Sequence, residues 1–116
     1  KSLEYLGLHL IAEFWGNKVD IKDPNKIEEI LKTAALKAKS TPLAVKLHKF
    51  NPHGISGVCL LAESHISIHT WPEKEYIAFD IFTCGRKSMP YKALEFLKEV
   101  FRPKEVQVIE IKRGIH

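Results

Sequence analysis

The chain has 116 residues, 45% of them hydrophobic, which suits one compact domain with a single core and leaves no room for a second. No apolar run approaches the roughly 20 residues that cross a bilayer, and Lys1-Ser2-Leu3-Glu4 lacks the pattern of an export signal, so a soluble, cytoplasmic protein is expected. The net charge of +4 comes from scattered lysines with only three arginines (Arg86, Arg102, Arg113), whereas nucleic-acid readers cluster their basic residues and favour Arg, so no nucleic-acid partner is expected.

Residues 5–14 read as a strand, with Tyr5, Gly7, His9, Ile11 and Glu13 on one face and Leu6, Leu8, Leu10, Ala12 and Phe14 on the other. Gly16-Asn17-Lys18 signals a turn. A helix is expected over 24–39: Asp23 caps it, Pro24 suits its first position, and Ile27, Ile30, Leu31, Ala34, Ala35 and Ala38 form one apolar stripe. A strand follows from Pro42 to Phe50, broken by Asn51-Pro52-His53-Gly54. Further strands are expected over Ile55–Leu61, Ser64–Trp71 and 75–83, the second of them ended by Pro72. Ser88 is read as the cap of a second helix over 89–101, stopped at Arg102-Pro103, and Val106–Ile111 as the closing strand.

This order predicts an α+β fold, a two-layer α/β sandwich with an antiparallel-rich sheet and two helices on one face. The other sheet face carries Phe50, Trp71 and Tyr76, too apolar to stay wet, so a homodimer burying further sheet surface is expected. Cys59 and Cys84 are read as free thiols, Cys59 as a core residue.

The segment Glu63-Ser64-His65-Ile66-Ser67-Ile68-His69-Thr70-Trp71-Pro72-Glu73 concentrates polar chemistry within a strand pattern. Alternation places His65, Ser67, His69 and Trp71 on one face. Two histidines four apart on a strand lie about 13 Å from each other, too far to share one ion, and no metal is expected. Ser64 lacks the Gly-x-Ser-x-Gly elbow of a hydrolase nucleophile.

This segment closely resembles the self-processing site of the bacterial and archaeal S-adenosylmethionine decarboxylases. Phe50-Asn51-Pro52-His53-Gly54-Ile55-Ser56-Gly57-Val58 and Asp80-Ile81-Phe82-Thr83-Cys84-Gly85 resemble that family's flanking motifs, in the same order and at matching spacings. The likeness runs from about His9 to Gly114. It implies an enzyme that makes its own pyruvoyl group by cleaving the Glu63–Ser64 bond, leaving a β chain of 1–63 and an α chain of 64–116 in a single domain. A ketone at position 64 condenses with an amine and acts as an electron sink.

The resemblance further implies that Ser64 is the pyruvoyl precursor, His69 the base of processing, Ser56 an assisting group, and Cys84 the acid that reprotonates the substrate carbon. Phe50 and Trp71 would surround an adenine ring, and Glu73 would accept the ribose hydroxyls of S-adenosylmethionine, at two sites shared between two protomers. Strict alternation keeps Ser64 and His69 on opposite faces, so a bulge or bend at the cleavage point is expected. Related decarboxylation of arginine or ornithine, and an unprocessed non-catalytic subunit, are the alternative readings.

Overall fold

Strand alternation and one helical stripe account for most of the architecture. The computed structural model describes residues 4–116; Lys1 to Leu3, part of the N-terminal reading above, lie outside them. The elements run β1 (Gly7–Trp15), α1 (Pro24–Lys37), β2 (Pro42–Lys49), β3 (Ile55–Leu61), β4 (Ser64–Trp71), a short 3-10 turn (Pro72–Lys74), β5 (Tyr76–Cys84), α2 (Pro90–Phe101) and β6 (Glu105–Arg113). The strands form one sheet in the order β2-β3-β4-β5-β1-β6, and every adjacent pair is antiparallel.

Both helices cover the same sheet face, α1 over β2 and β3 and α2 over β5 and β1. Leu10, Ala12 and Phe14 of β1 point into this layer, as do Ile66 and Ile68 of β4 and Phe79 and Ile81 of β5. Phe14 and Phe79 meet edge to face with centroids 4.9 Å apart, a geometry that adds to the gain from burial. Ala34, Ala35 and Ala38 are fully buried, and their small side chains let α1 approach its neighbours closely. Burial raises the pKa of the Cys59 thiol, which lies in this core as expected.

The first helix begins as expected: the Asp23 carboxylate accepts the Asn25 N–H at 2.9 Å, with Pro24 at the first helical position. It ends at Lys37, two residues earlier than expected, and Lys39 turns to φ 57°. The second helix is capped differently from expectation. Met89 occupies the cap without a side-chain bond, while the Ser88 hydroxyl donates to the Gly85 carbonyl within the preceding turn. No helix of the described residues is long and apolar enough to cross a membrane.

Candidate active site

Glu63, Ser64 and Cys84 share one end of the sheet. β3 stops at Leu61 and β4 starts at Ser64, so Ala62 and Glu63 alone connect them. Ser64 pairs with Leu61 on one side and with Thr83 on the other. The backbone N–H of Cys84 donates to the Glu63 carbonyl oxygen at 3.0 Å, and Ser64 Oγ lies 3.3 Å from His65 Nδ1. Ser64 has φ 153°, a region that L side chains seldom enter and that costs on the order of 1–3 kcal/mol.

The expected bulge does not occur. The register runs without a shift from Ser64 to His69 against β3 and to Trp71 against β5, and the unusual φ of Ser64 stands where the bulge was expected. Ser64 and His69 therefore lie roughly 17 Å apart along β4, at about 3.3 Å per residue.

The other expected site residues gather at the far end of β4. Ser56 is the direct cross-strand partner of His69. The His69 ring stacks on Trp71 at 3.8 Å and on Phe50 at 5.6 Å. Trp71 stacks on Tyr76 at 5.1 Å, Tyr76 on Trp15 at 4.2 Å, and His48 meets Phe50 at 4.5 Å. Six rings thus run across the face that the helices leave open. Glu73, in the 3-10 turn, lines a cleft of about 330 Å³ with Lys22, Lys49 and His53.

A different cleft, about 560 Å³, opens at the Cys84 end between Gly7, Leu8, Thr83, Gly85, Arg86 and Ser88. The Thr83 hydroxyl beside it is buried and has no hydrogen-bond partner. Cys84 itself is partly exposed. Among the described residues, no three His, Cys, Asp or Glu side chains are placed to hold a metal ion.

The family model for S-adenosylmethionine decarboxylase matches residues 8–114. The chain belongs to the S-adenosylmethionine decarboxylase family. The S-adenosylmethionine decarboxylase proenzyme of Methanococcus vannielii is 46% identical, over 97% of this chain and 93% of its own length. That of Pyrococcus furiosus is also 46% identical, over 97% and 82%. The crystal structure of the adenosylmethionine decarboxylase from Aquifex aeolicus matches with a TM-score of 0.89 and 39% identity, covering 97% of this chain and 94% of that one.

The decarboxylase fold also assembles a polar network that sequence reasoning missed. His9 Nε2 lies 3.0 Å from Asp80 Oδ1, the Ser67 hydroxyl donates to Asp80 Oδ2 at 3.0 Å, and Arg113 lies 3.2 Å from His9 Nδ1. Arginine only donates, and the Asp80 carboxylate accepts the Ser67 hydroxyl, so Arg113 and Ser67 converge on the His9–Asp80 contact. The His9 ring thus lies between a cation and an anion. The signal was present in the open-face positions of His9 and Ser67, but pairing them with Asp80 requires knowing that β1 and β4 both flank β5.

Proposed function

We propose that this chain is a self-cleaving S-adenosylmethionine decarboxylase whose Ser64 becomes a pyruvoyl group, and that its product is the aminopropyl donor for spermidine synthesis. The observation that carries the reading is the Glu63–Ser64 junction: a hydroxyl next to a polarised carbonyl, at a residue held in a rarely occupied φ. The Ser64 hydroxyl attacks the Glu63 carbonyl carbon, and His65 Nδ1 is the nitrogen placed to take its proton. The Cys84 N–H bond to the Glu63 oxygen strengthens as negative charge develops there, which favours the amide-to-ester shift. A base then removes the Ser64 Cα proton, the ester breaks by β-elimination, and the dehydroalanine left behind hydrolyses with loss of ammonia.

The residues at this junction suit the group. A pyruvoyl ketone held at position 64, beside Cys84 and Thr83, would supply an electron sink for decarboxylation of an amine substrate. The partly exposed Cys84 thiol, on the strand next to Ser64, holds the proton that the substrate α-carbon takes up.

The distances favour a second protomer for the remaining roles. A base must come within roughly 2.6–3.2 Å of its proton, so His69, about 17 Å along the strand, does not serve Ser64 of its own chain. Two open faces packed with their β4 strands antiparallel lay the Ser64–Cys84 end of one on the Ser56–His69 end of its partner. Each homodimer then holds two sites, with Ser56 and His69 of one chain assisting processing in the other. Phe50, Trp71 and Glu73 would grip the adenosyl part of S-adenosylmethionine, the sulfonium gaining cation–π attraction from the rings. Such a grip is suited to a nucleoside rather than to arginine or ornithine. The face is apolar enough to need this cover, since Val58, Leu60, Ile109 and Ile111 are all exposed on it.

Intact mass under denaturing conditions tests the reading. The expected result is two fragments split after Glu63, the second lighter by one ammonia than a chain beginning with serine. Release of carbon dioxide from S-adenosylmethionine should accompany them. A single uncleaved chain with full activity would overturn it.

A further inference from the structure

We propose that Thr41 is a positioning residue for self-cleavage, clamping the Glu63 carboxylate and so holding the scissile turn in its strained geometry. The inference rests on cleavage between Glu63 and Ser64 as argued above. The Thr41 backbone N–H donates to Glu63 Oε1 at 2.8 Å, and its hydroxyl donates to Oε2 at 3.3 Å. The Thr41 carbonyl in turn accepts the Ala62 N–H at 2.9 Å. Thr41 is thus bonded to both residues of the connection between β3 and β4.

The sequence of that connection explains why a clamp is needed. Two-residue hairpin loops are normally built from Asn-Gly, Asp-Gly or Gly-X, which take positive φ cheaply. Ala62-Glu63 has no such residue, and the positive φ falls instead on Ser64. A residue remains in such a conformation only when its surroundings over-determine it. Here the Glu63 side chain is tied to the residue preceding β2, its carbonyl is tied to Cys84 at the end of β5, and Ser64 is paired with Thr83. β2 itself starts irregularly, with a register shift between Pro42 and Ala44 against β3, next to Thr41. The bonds to Glu63 are exposed, where such contacts add little to stability. Their effect therefore falls on the geometry of the acyl group that Ser64 attacks.

The test follows cleavage of freshly translated full-length precursor over time. Thr41→Val removes the hydroxyl, Thr41→Ser restores it, and Glu63→Ala releases both bonds. Glu63→Ala is expected to slow cleavage by roughly 10- to 100-fold, the range that strain of this size allows. Thr41→Val should slow it by a few-fold, with Thr41→Ser at the wild-type rate and melting temperatures unchanged. In the Glu63→Ala background Thr41→Val should have no further effect, because the group it holds is gone. Hydroxylamine, which cuts an accumulated ester, should not rescue either variant. Wild-type rates in both single variants, an equal effect of Thr41→Val in both backgrounds, or a lowered melting temperature that tracks the rate would each overturn the clamp. An uncleaved wild-type chain would overturn the reading of Ser64 itself.

Discussion

Gly7 stands directly opposite Cys84 in the β1–β5 ladder, and a Cβ on Gly7 would fall 2.8 Å from Cys84 Sγ. The same carbon would lie 2.7 Å from the Phe82 ring and 2.9 Å from the Thr83 carbonyl oxygen, so it has no way to fit without moving something. The absence of a side chain at position 7 leaves room for the thiol proposed to act in turnover. Gly7→Ala is expected to lower kcat of the processed enzyme by about 100-fold, the scale of a misplaced catalytic group. Steady-state kinetics on the cleaved protein read this directly. An unchanged kcat would mean the thiol tolerates displacement.

Cys84 contributes two separate groups, and one substitution distinguishes them. Its backbone N–H holds the Glu63 carbonyl oxygen, and its thiol is the proposed proton donor in turnover. Cys84→Ala keeps the first and removes the second. Fragments should form normally on a denaturing gel while decarboxylation falls by roughly 100- to 10,000-fold. Loss of cleavage in this variant would move the thiol into the processing step.

Mixed dimers test whether the site is shared. Ser64→Ala removes the proposed pyruvoyl precursor, and His69→Ala removes the proposed base. Each alone is expected to stay uncut. Co-expressed, a mixed dimer joins the intact Ser64 of one chain to the intact His69 of the other, and the His69→Ala chain should then be cleaved. Mass spectrometry of differently tagged chains identifies which is cut. No cleavage in the mixture would place Ser64 and His69 in the same chain's service.

Tyr76 ties the aromatic run to pH. Burial first, and then its hydrogen bond to the Glu13 carboxylate, push its pKa up to about 12 from an ordinary value of 10. A phenol whose folded pKa is raised adds stability that is complete below pH 10 and is lost as the pH climbs toward 12. The wild-type melting temperature should therefore fall more steeply between pH 10 and 12 than that of Tyr76→Phe, which has no phenol to ionise. Parallel curves for the two proteins would show that Tyr76 titrates alike folded and unfolded.

Most elements were legible because their signals are local. Alternation located β3 and β4 with their observed limits, and the Asp23-Pro24 start with its apolar stripe located α1. The second helix start was misread at Ser88 because a serine before a proline-led helix fits two local bonds equally well, and only the turn at Gly85 decides between them. What lay beyond reach is non-local. Nothing in the order of the chain says that β1 inserts between β5 and β6, yet that placement brings His9 to Asp80 and Gly7 to Cys84. The bend expected at the cleavage point was wrong for a related reason. It assumed that Ser64 and His69 must meet within one chain, and the unbroken register keeps them at opposite ends of β4.

The strand order has a last consequence for a chain cut after Glu63. The first piece would carry β1, β2 and β3 and the second β4, β5 and β6, but these do not form two blocks in the sheet. β4 and β5 lie between β3 and β1, and β1 lies between β5 and β6. The two pieces are interdigitated, and parting them would tear the β3–β4, β5–β1 and β1–β6 ladders together. A nick at this hairpin costs the protein a tether it does not need, so the cut pieces should remain one body even at high dilution.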